Sequence, residues 1–270
     1  MKRTILITMI LVLVLSSLSF AVVSADDEAM VYVGHGIPGD AFDLDPALPV
    51  DVLVNNELCL LKDFAFGEFA GPVSLPAGTY TVTISLADDD ADPCGGTPVI
   101  EAPVPFVAGE TATVIAHLTA DGSPGFGDLL GLGITASKFI NDVTPAVPGT
   151  TRLTVRHVAK APAVDIKLYR GWERGRKVGE IKALENPGQA GPLNIRPGDY
   201  EAVILPAGSS DVVFSLPVEL EPHKSYLVYA VGGLDTDTFT VLAQVLDLGI
   251  TRPPRPVPPV VPGPPTLPIP

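Results

Sequence analysis

Short alternations of apolar and polar residues, bounded by proline and glycine, recur along this chain. Thr79-Tyr80-Thr81-Val82-Thr83-Ile84 places Tyr80, Val82 and Ile84 on one face and three threonines on the other, the period of two that marks a half-buried strand. Tyr200, Ala202 and Ile204 repeat that face. The Pro-Gly or Pro-Ala-Gly before each tyrosine reads as a turn, since Pro presets φ and Gly accepts positive φ without a Cβ clash. Leu75 and Ile195 should then lie on strands antiparallel to those of the tyrosines. About eight short strands per repeat at roughly ten-residue spacing suggest a sandwich. Phe126–Ile140 is ambiguous, because Leu129, Leu130, Leu132, Ile134 and Phe139 would also suit a helix. Gly131 and Gly133 disfavour one, and a strand is expected over Gly133–Asn141.

The word "repeat" rests on several elements that recur in one order. Val31-Tyr32-Val33-Gly34-His35 matches Leu153-Thr154-Val155-Arg156-His157, and Val50-Asp51-Val52 matches Val164-Asp165-Ile166. Ala70–Tyr80 matches Ala190–Tyr200, and Thr113–His117 matches Tyr226–Ala230. The domains expected are 26–146 and 151–250, joined by the short stiff linker Pro145-Ala146-Val147-Pro148-Gly149. Residues 251–270 contain ten prolines, a composition that cannot form a sheet ladder and that predicts an extended, disordered Pro-rich tail.

Residues 1–25 read as a signal peptide. Lys2 and Arg3 precede the apolar Thr4–Val23, Val23-Ser24-Ala25 offers a cleavage site, and acidic residues follow. Without that leader, 15 basic residues face 31 acidic ones, a net charge of −16. This favours solubility and argues against nucleic acid as a partner. No second apolar run of spanning length follows, so no membrane insertion is expected after cleavage. With 18% charged residues and a mean hydropathy of +0.35, neither repeat lacks the apolar content a core needs. Cys59 and Cys94 both fall in the first repeat, and a secreted or extracytoplasmic location would let them pair. Closing that loop would stabilise by roughly 4 kcal/mol through chain entropy.

His157-Val158-Ala159-Lys160-Ala161-Pro162-Ala163-Val164-Asp165-Ile166, followed by Pro197-Gly198-Asp199-Tyr200, resembles the bacterial secreted family called domain of unknown function 4397. Its members carry a "VVHASPDAPAVDV" start and an "LPAGTYTV" hairpin, and Leu75–Val82 matches the hairpin in full. Asp51 and Asp165 match the Asp of the start motif, and His157 matches its His. The first repeat departs from that start, because Gly36-Ile37-Pro38-Gly39 and an acidic insertion follow His35. The resemblance implies an all-β chain of two tandem immunoglobulin-like antiparallel β-sandwich domains, exported to the cell surface, and implies no activity.

Candidate chemistry is sparse. Gly34–Gly39 fits G-x-G-x-x-G, but a Pro-ended polar loop follows where a dinucleotide site needs a helix. His35, His117, His157 and His223 make no H-x-H or H-E-x-x-H pair. His35 and His157 should each satisfy a loop carbonyl at the end of a strand. Asp88, Asp90 and Asp92 alternate in a Gly-containing loop, as a hard cation such as Ca²⁺ prefers. They lack EF-hand spacing, and no cofactor is otherwise implied. Arg170, Trp172, Arg174, Arg176 and Lys177 gather four cations around the single tryptophan at an expected hairpin tip, the make-up of a binding anchor. Two settings for Trp172 stay open, folded onto the sheet or exposed to a surface protein or anionic glycan. The expected function is a non-enzymatic surface binding or adhesion module of unknown ligand, with a structural or assembly component of the cell envelope as the alternative.

Overall fold

The structure, a computed structural model, describes residues 28–91 and 94–249. The leader 1–25, Asp92 and the tail 251–270 lie outside the described residues. The first eight strands are β1 (Glu28–His35), β2 (Val50–Val54), β3 (Leu58–Phe64), β4 (Phe69–Pro76), β5 (Gly78–Leu86), β6 (Pro98–Phe106), β7 (Thr111–Leu118) and β8 (Ile134–Ile140). The second eight are β9 (Thr151–His157), β10 (Val164–Arg170), β11 (Arg176–Leu184), β12 (Gly188–Ile195), β13 (Gly198–Pro206), β14 (Phe214–Leu220), β15 (Lys224–Val231) and β16 (Thr240–Asp247). The ambiguous segment is a strand at Ile134–Ile140, within the expected Gly133–Asn141.

Each repeat is a pair of four-stranded sheets. In the first, β4-β1-β7-β8 faces β3-β2-β5-β6; in the second, β12-β9-β15-β16 faces β11-β10-β13-β14. This is not the immunoglobulin constant-domain order, in which the first, second, fourth and fifth strands share a sheet. Here the second and fifth strands lie opposite the first and fourth. Nor are the sheets wholly antiparallel, since β1 pairs with β7 and β9 with β15 in parallel. Alternation along a strand states which side chains share a face, but it does not say which strand lies alongside.

One match from the sequence is off by a residue: Val33 pairs with Val114 and Val155 with Val228, so Thr113–His117 lies level with Leu227–Val231 rather than Tyr226–Ala230, because a run apolar at successive positions carries no alternation to fix its register. The other shared motif residues hold the same local geometry in both copies. Asp51 accepts the backbone N–H groups of Asp63 (2.9 Å) and Gly95 (2.8 Å); Asp165 accepts those of Ala183 (2.8 Å) and Gly208 (3.0 Å). Each carboxylate thereby pins a left-handed residue, Asp63 at φ 52° or Ala183 at φ 48°, to the loop after β5 or β13. Tyr80 and Tyr200 donate back across their turns to the carbonyls of Pro76 (2.8 Å) and Arg196 (2.6 Å). A disulfide joins Cys59 to Cys94.

Val31, Val52, Ile84, Phe106 and Val114 belong to the interior of the first sandwich, and Leu153, Val155, Ile166 and Ile204 to that of the second. A further apolar layer lies between the sandwiches, so the molecule is a stack of four sheets. There Ile115 of β7 packs with Leu227, Tyr229, Val231 and Leu246, and Tyr32, Phe69 and Phe139 pack against them. A closed polar ring crosses this layer. Arg156 donates to Asn141 Oδ1 (2.8 Å), Asn141 to Thr113 Oγ1 (2.9 Å), and Thr113 to Gln244 Oε1 (3.0 Å). Tyr229 donates to the same Gln244 oxygen (3.2 Å) and accepts from Arg156. Arg156 also donates to Gln189 Oε1 (2.8 Å) and to the Ile140 carbonyl (3.1 Å), and its guanidinium lies 4.7 Å from the Phe139 ring centroid. The linker is fastened as well, because Arg152 donates to the carbonyls of Asp142 and Thr144, each at 2.9 Å, and the Ala146 N–H to the Gly249 carbonyl.

Arg156 is fully buried, and each acceptor it leaves behind would lose its partner away from water, at a cost of about 1–3 kcal/mol apiece. Arg156→Ala should therefore lower stability in urea unfolding by about 3 kcal/mol or more. Arg156→Lys should recover little of it, because an ammonium cannot serve this planar array of acceptors. An alanine variant within about 0.5 kcal/mol of the parent would show that the ring does not hold the layer.

Candidate functional site

The basic hairpin joins β10 to β11. Gly171, Glu173 and Arg174 all take positive φ, which turns the chain sharply and throws Trp172 outward. Glu201 anchors the tip by accepting the Arg174 N–H (2.6 Å) and the Ser215 hydroxyl (2.8 Å). These two contacts hold the Glu201 carboxyl below its ordinary pKa. Trp172 is 52% exposed, so it is not folded onto the sheet. Arg170 leans over the Tyr200 ring (5.9 Å) and Lys177 pairs with Glu180 (3.1 Å). Arg174 and Arg176 make no ion pair among the described residues. The structure thus brings the five residues singled out in the sequence onto one turn and its flanks.

The acidic loop is held differently. Asp88 Oδ1 accepts the Asp90 N–H (3.0 Å), which closes a local turn, and the Lys62 ammonium stands 4.0 Å from Asp89. Asp92 lies outside the described residues. Among those described, no three potential ligands gather at one point.

Sequence reasoning weighed the segment between β7 and β8 only as helix or strand and named no site in it. Asp128 lies at its centre and accepts the N–H groups of Leu130 (3.2 Å), Gly131 (2.9 Å), Gly133 (2.8 Å) and Ile134 (3.2 Å). Desolvation pulls its pKa up, but the surrounding backbone N–H groups outweigh that and hold it below the ordinary value. With the backbone so braced, Phe126, Leu129, Leu130 and Leu132 remain exposed, Phe126 at 69%. The signal was present in Phe126-Gly127-Asp128-Leu129-Leu130-Gly131-Leu132, whose apolar residues fit neither a strand face nor a polar loop.

Three histidines are buried and structural. His35 donates from Nε2 to the Leu48 carbonyl (2.9 Å) and accepts the Ile37 N–H at Nδ1 (3.3 Å). His157 repeats this with the Pro162 carbonyl (3.1 Å) and the Ala159 N–H (3.4 Å). His117 lies in the layer between the sandwiches, with Nδ1 2.8 Å from the Leu118 carbonyl and Nε2 2.8 Å from Ser137 Oγ. Burial lowers its pKa to about 4, against the raising effect of the Leu118 carbonyl. Burial also lowers His35 and His157.

A family model described as "Domain of unknown function (DUF4397)" matches residues 29–167, from the start of the first sandwich into β10 of the second. No curated protein matches. Among solved structures, the Bacillus anthracis TIE protein is similar at 12% identity over 72% of this chain and 48% of that chain, with a TM-score of 0.22. The chain spans about half the length of that structure, and a score of that size carries no argument about this one.

A histidine held neutral in the fold takes up a proton more readily once unfolded. Its contribution is therefore complete above the unfolded pKa near 6.5 and is lost as pH falls toward the folded value. Stability should fall from about pH 6.5 to about pH 4, with His117 alone accounting for roughly 3 kcal/mol. Asp128 and Asp142, with lowered folded pKa values, should add a separate loss below the ordinary carboxylate range. Urea midpoints measured across pH test this, and a flat profile between pH 6.5 and 4 would contradict it.

Proposed function

The chain belongs to the family of domain of unknown function 4397, and because that membership names no activity, we propose from its own surfaces that it is an exported, non-enzymatic binding module. The observation that carries this reading is Trp172, exposed among Arg170, Arg174, Arg176 and Lys177 on a protein of strongly negative net charge. A flat aromatic beside guanidinium groups suits the apolar face and the charged substituents of an anionic surface glycan. The apolar leader and the disulfide support an extracytoplasmic location. Among the described residues no helix is long and apolar enough to cross a membrane. The packed and hydrogen-bonded double sandwich supports this reading by giving the hairpin a rigid base.

Binding of the mature chain to immobilised sulfated and carboxylated glycans tests the proposal. Trp172→Ala should abolish retention while changing stability by no more than about 0.5 kcal/mol, since the side chain is exposed. Retention should also weaken with added salt, because the cations are solvated. Equal retention of parent and variant would reject the hairpin as the contact.

The second reading, an assembly component of the envelope, is favoured by the Phe126–Leu132 loop, because clustered exposed apolar side chains mark contact sites. Sedimentation should then show an oligomer that Leu129→Ser with Leu130→Ser converts to monomer. A monomeric parent would dismiss this reading.

A further inference from the structure

The two sandwiches share one plan but enclose different interiors. Between its sheets the second holds a cavity of about 540 Å³, whereas the matching void in the first is about 30 Å³. Strand register shows where they part. Val33 pairs with Val114 and Val114 with Lys138; Val155 pairs with Val228 and Val228 with Ala243. Lys138 and Ala243 therefore occupy one equivalent position.

Lys138 straps the first sandwich shut. From β8 its ammonium reaches the facing sheet, donating to the Pro105 carbonyl (2.5 Å) on β6 and to Glu110 (2.9 Å), and it lies 5.3 Å from the Phe106 ring centroid. Phe106, paired with Gly78, corresponds to Leu220, paired with Gly198, so the ring is absent from the second copy. The Phe126–Leu132 loop adds two ties to that edge, from the Glu101 N–H to the Gly127 carbonyl (2.9 Å) and from the Leu129 N–H to the Val99 carbonyl (3.0 Å). In the second sandwich, a contact between the Phe214 and Phe239 rings (5.8 Å) closes one end of the β14–β16 edge. Beyond it, Ala243 has no side chain long enough to cross. Deeper in, Ala202 stands at the position of Val82.

The lining settles the chemistry. Strand alternation turns Leu168, Ala202, Ile204, Leu216 and Val218 inward, all of them apolar and all lining the cavity. Arg156, Glu180, Asn194 and Glu219 also border it, but they occupy the outward phase, paired with Gln189, Lys167, Arg152 and Asp199. His157 and Tyr226 share the inward phase, but the His157 nitrogens are taken by the Pro162 carbonyl and the Ala159 N–H, and the Tyr226 hydroxyl by the Glu221 N–H. Water in such a space would want two to four polar partners, whereas hydrocarbon wants none. The volume lies within the roughly 300–1,000 Å³ of ordinary small-molecule sites. We propose that the second sandwich binds a long hydrocarbon chain, fatty-acyl or isoprenoid, admitted along the β14–β16 edge. This stands independently of the hairpin contact.

Fluorescence titration of the mature full-length chain with cis-parinaric acid tests it, with palmitic acid and farnesol as competitors to separate the two sources of hydrocarbon. Saturable one-to-one binding displaced by one of them is expected. Ala202→Phe should fill the cavity and weaken binding by at least about tenfold. Ala243→Phe, at an exposed edge position that tolerates the change if Ala202→Phe does not fold, should do the same by covering the β14–β16 entry; a lysine there would not rebuild the strap, because Lys224 and Leu220 stand where Glu110 and Phe106 complete it. Trp172→Ala should leave the titration unchanged. Absence of saturable binding, or equal binding by parent and Ala243→Phe, would overturn the proposal. Binding seen only when Val260, Val261 and Leu267 are replaced by serine would also overturn it, since the chain's own tail would then be the occupant.

Discussion

A guanidinium with no carboxylate within ion-pair distance among the described residues, sealed between two sheets, sets the arrangement of this molecule. Burying an unpaired charge costs several kcal/mol, and Arg156 is held only because every face of it is answered: acceptors from Gln189, Asn141, Tyr229 and the Ile140 carbonyl, with an aromatic ring below. Those acceptors come from both repeats. Apolar contact alone is non-directional and would let two flat sheet faces slide. The polar ring through Asn141, Thr113, Gln244 and Tyr229 fixes how the faces meet, because a shift would leave a buried charge unanswered.

The duplication makes this possible by keeping some positions and changing others. Asp51 and Asp165, His35 and His157, and Tyr80 and Tyr200 do the same work in each copy, clamping a loop or a turn. The facing surfaces have diverged into complements. Gly34 pairs with Phe69 where Arg156 pairs with Gln189. A Cβ on Gly34 would lie 2.7 Å from the Phe69 ring, so glycine there seats the ring that packs against Tyr229 at 5.1 Å. One copy supplies an aromatic and the room for it, and the other supplies the cation and its acceptor.

Much of this could be read from residue order, and the rest could not for definite reasons. Alternation at Tyr80-Val82-Ile84 and Tyr200-Ala202-Ile204 located the core faces, and the repeat located the equivalent strands. Sheet order was not legible, because a period of two names a face and never a neighbour. The layer between repeats did leave a trace that went unread: Leu227-Val228-Tyr229-Ala230-Val231 is apolar at successive positions, the mark of a strand covered on both sides. A stiff linker suggested two separate beads, whereas Arg152 and Ala146 fasten that linker down. The exposure of Trp172 depends on the left-handed turn at Glu173 and Arg174, residues with no strong intrinsic preference for it. The larger interior of the second sandwich follows from a missing edge lysine, which only strand register reveals.

If the buried ring joins the repeats into one structural unit, they must also unfold as one. Scanning calorimetry of the mature chain measures this directly. The account predicts a single transition whose calorimetric and van't Hoff enthalpies agree. Two resolved transitions, or a calorimetric enthalpy about twice the van't Hoff value, would show two sandwiches melting independently and would contradict it.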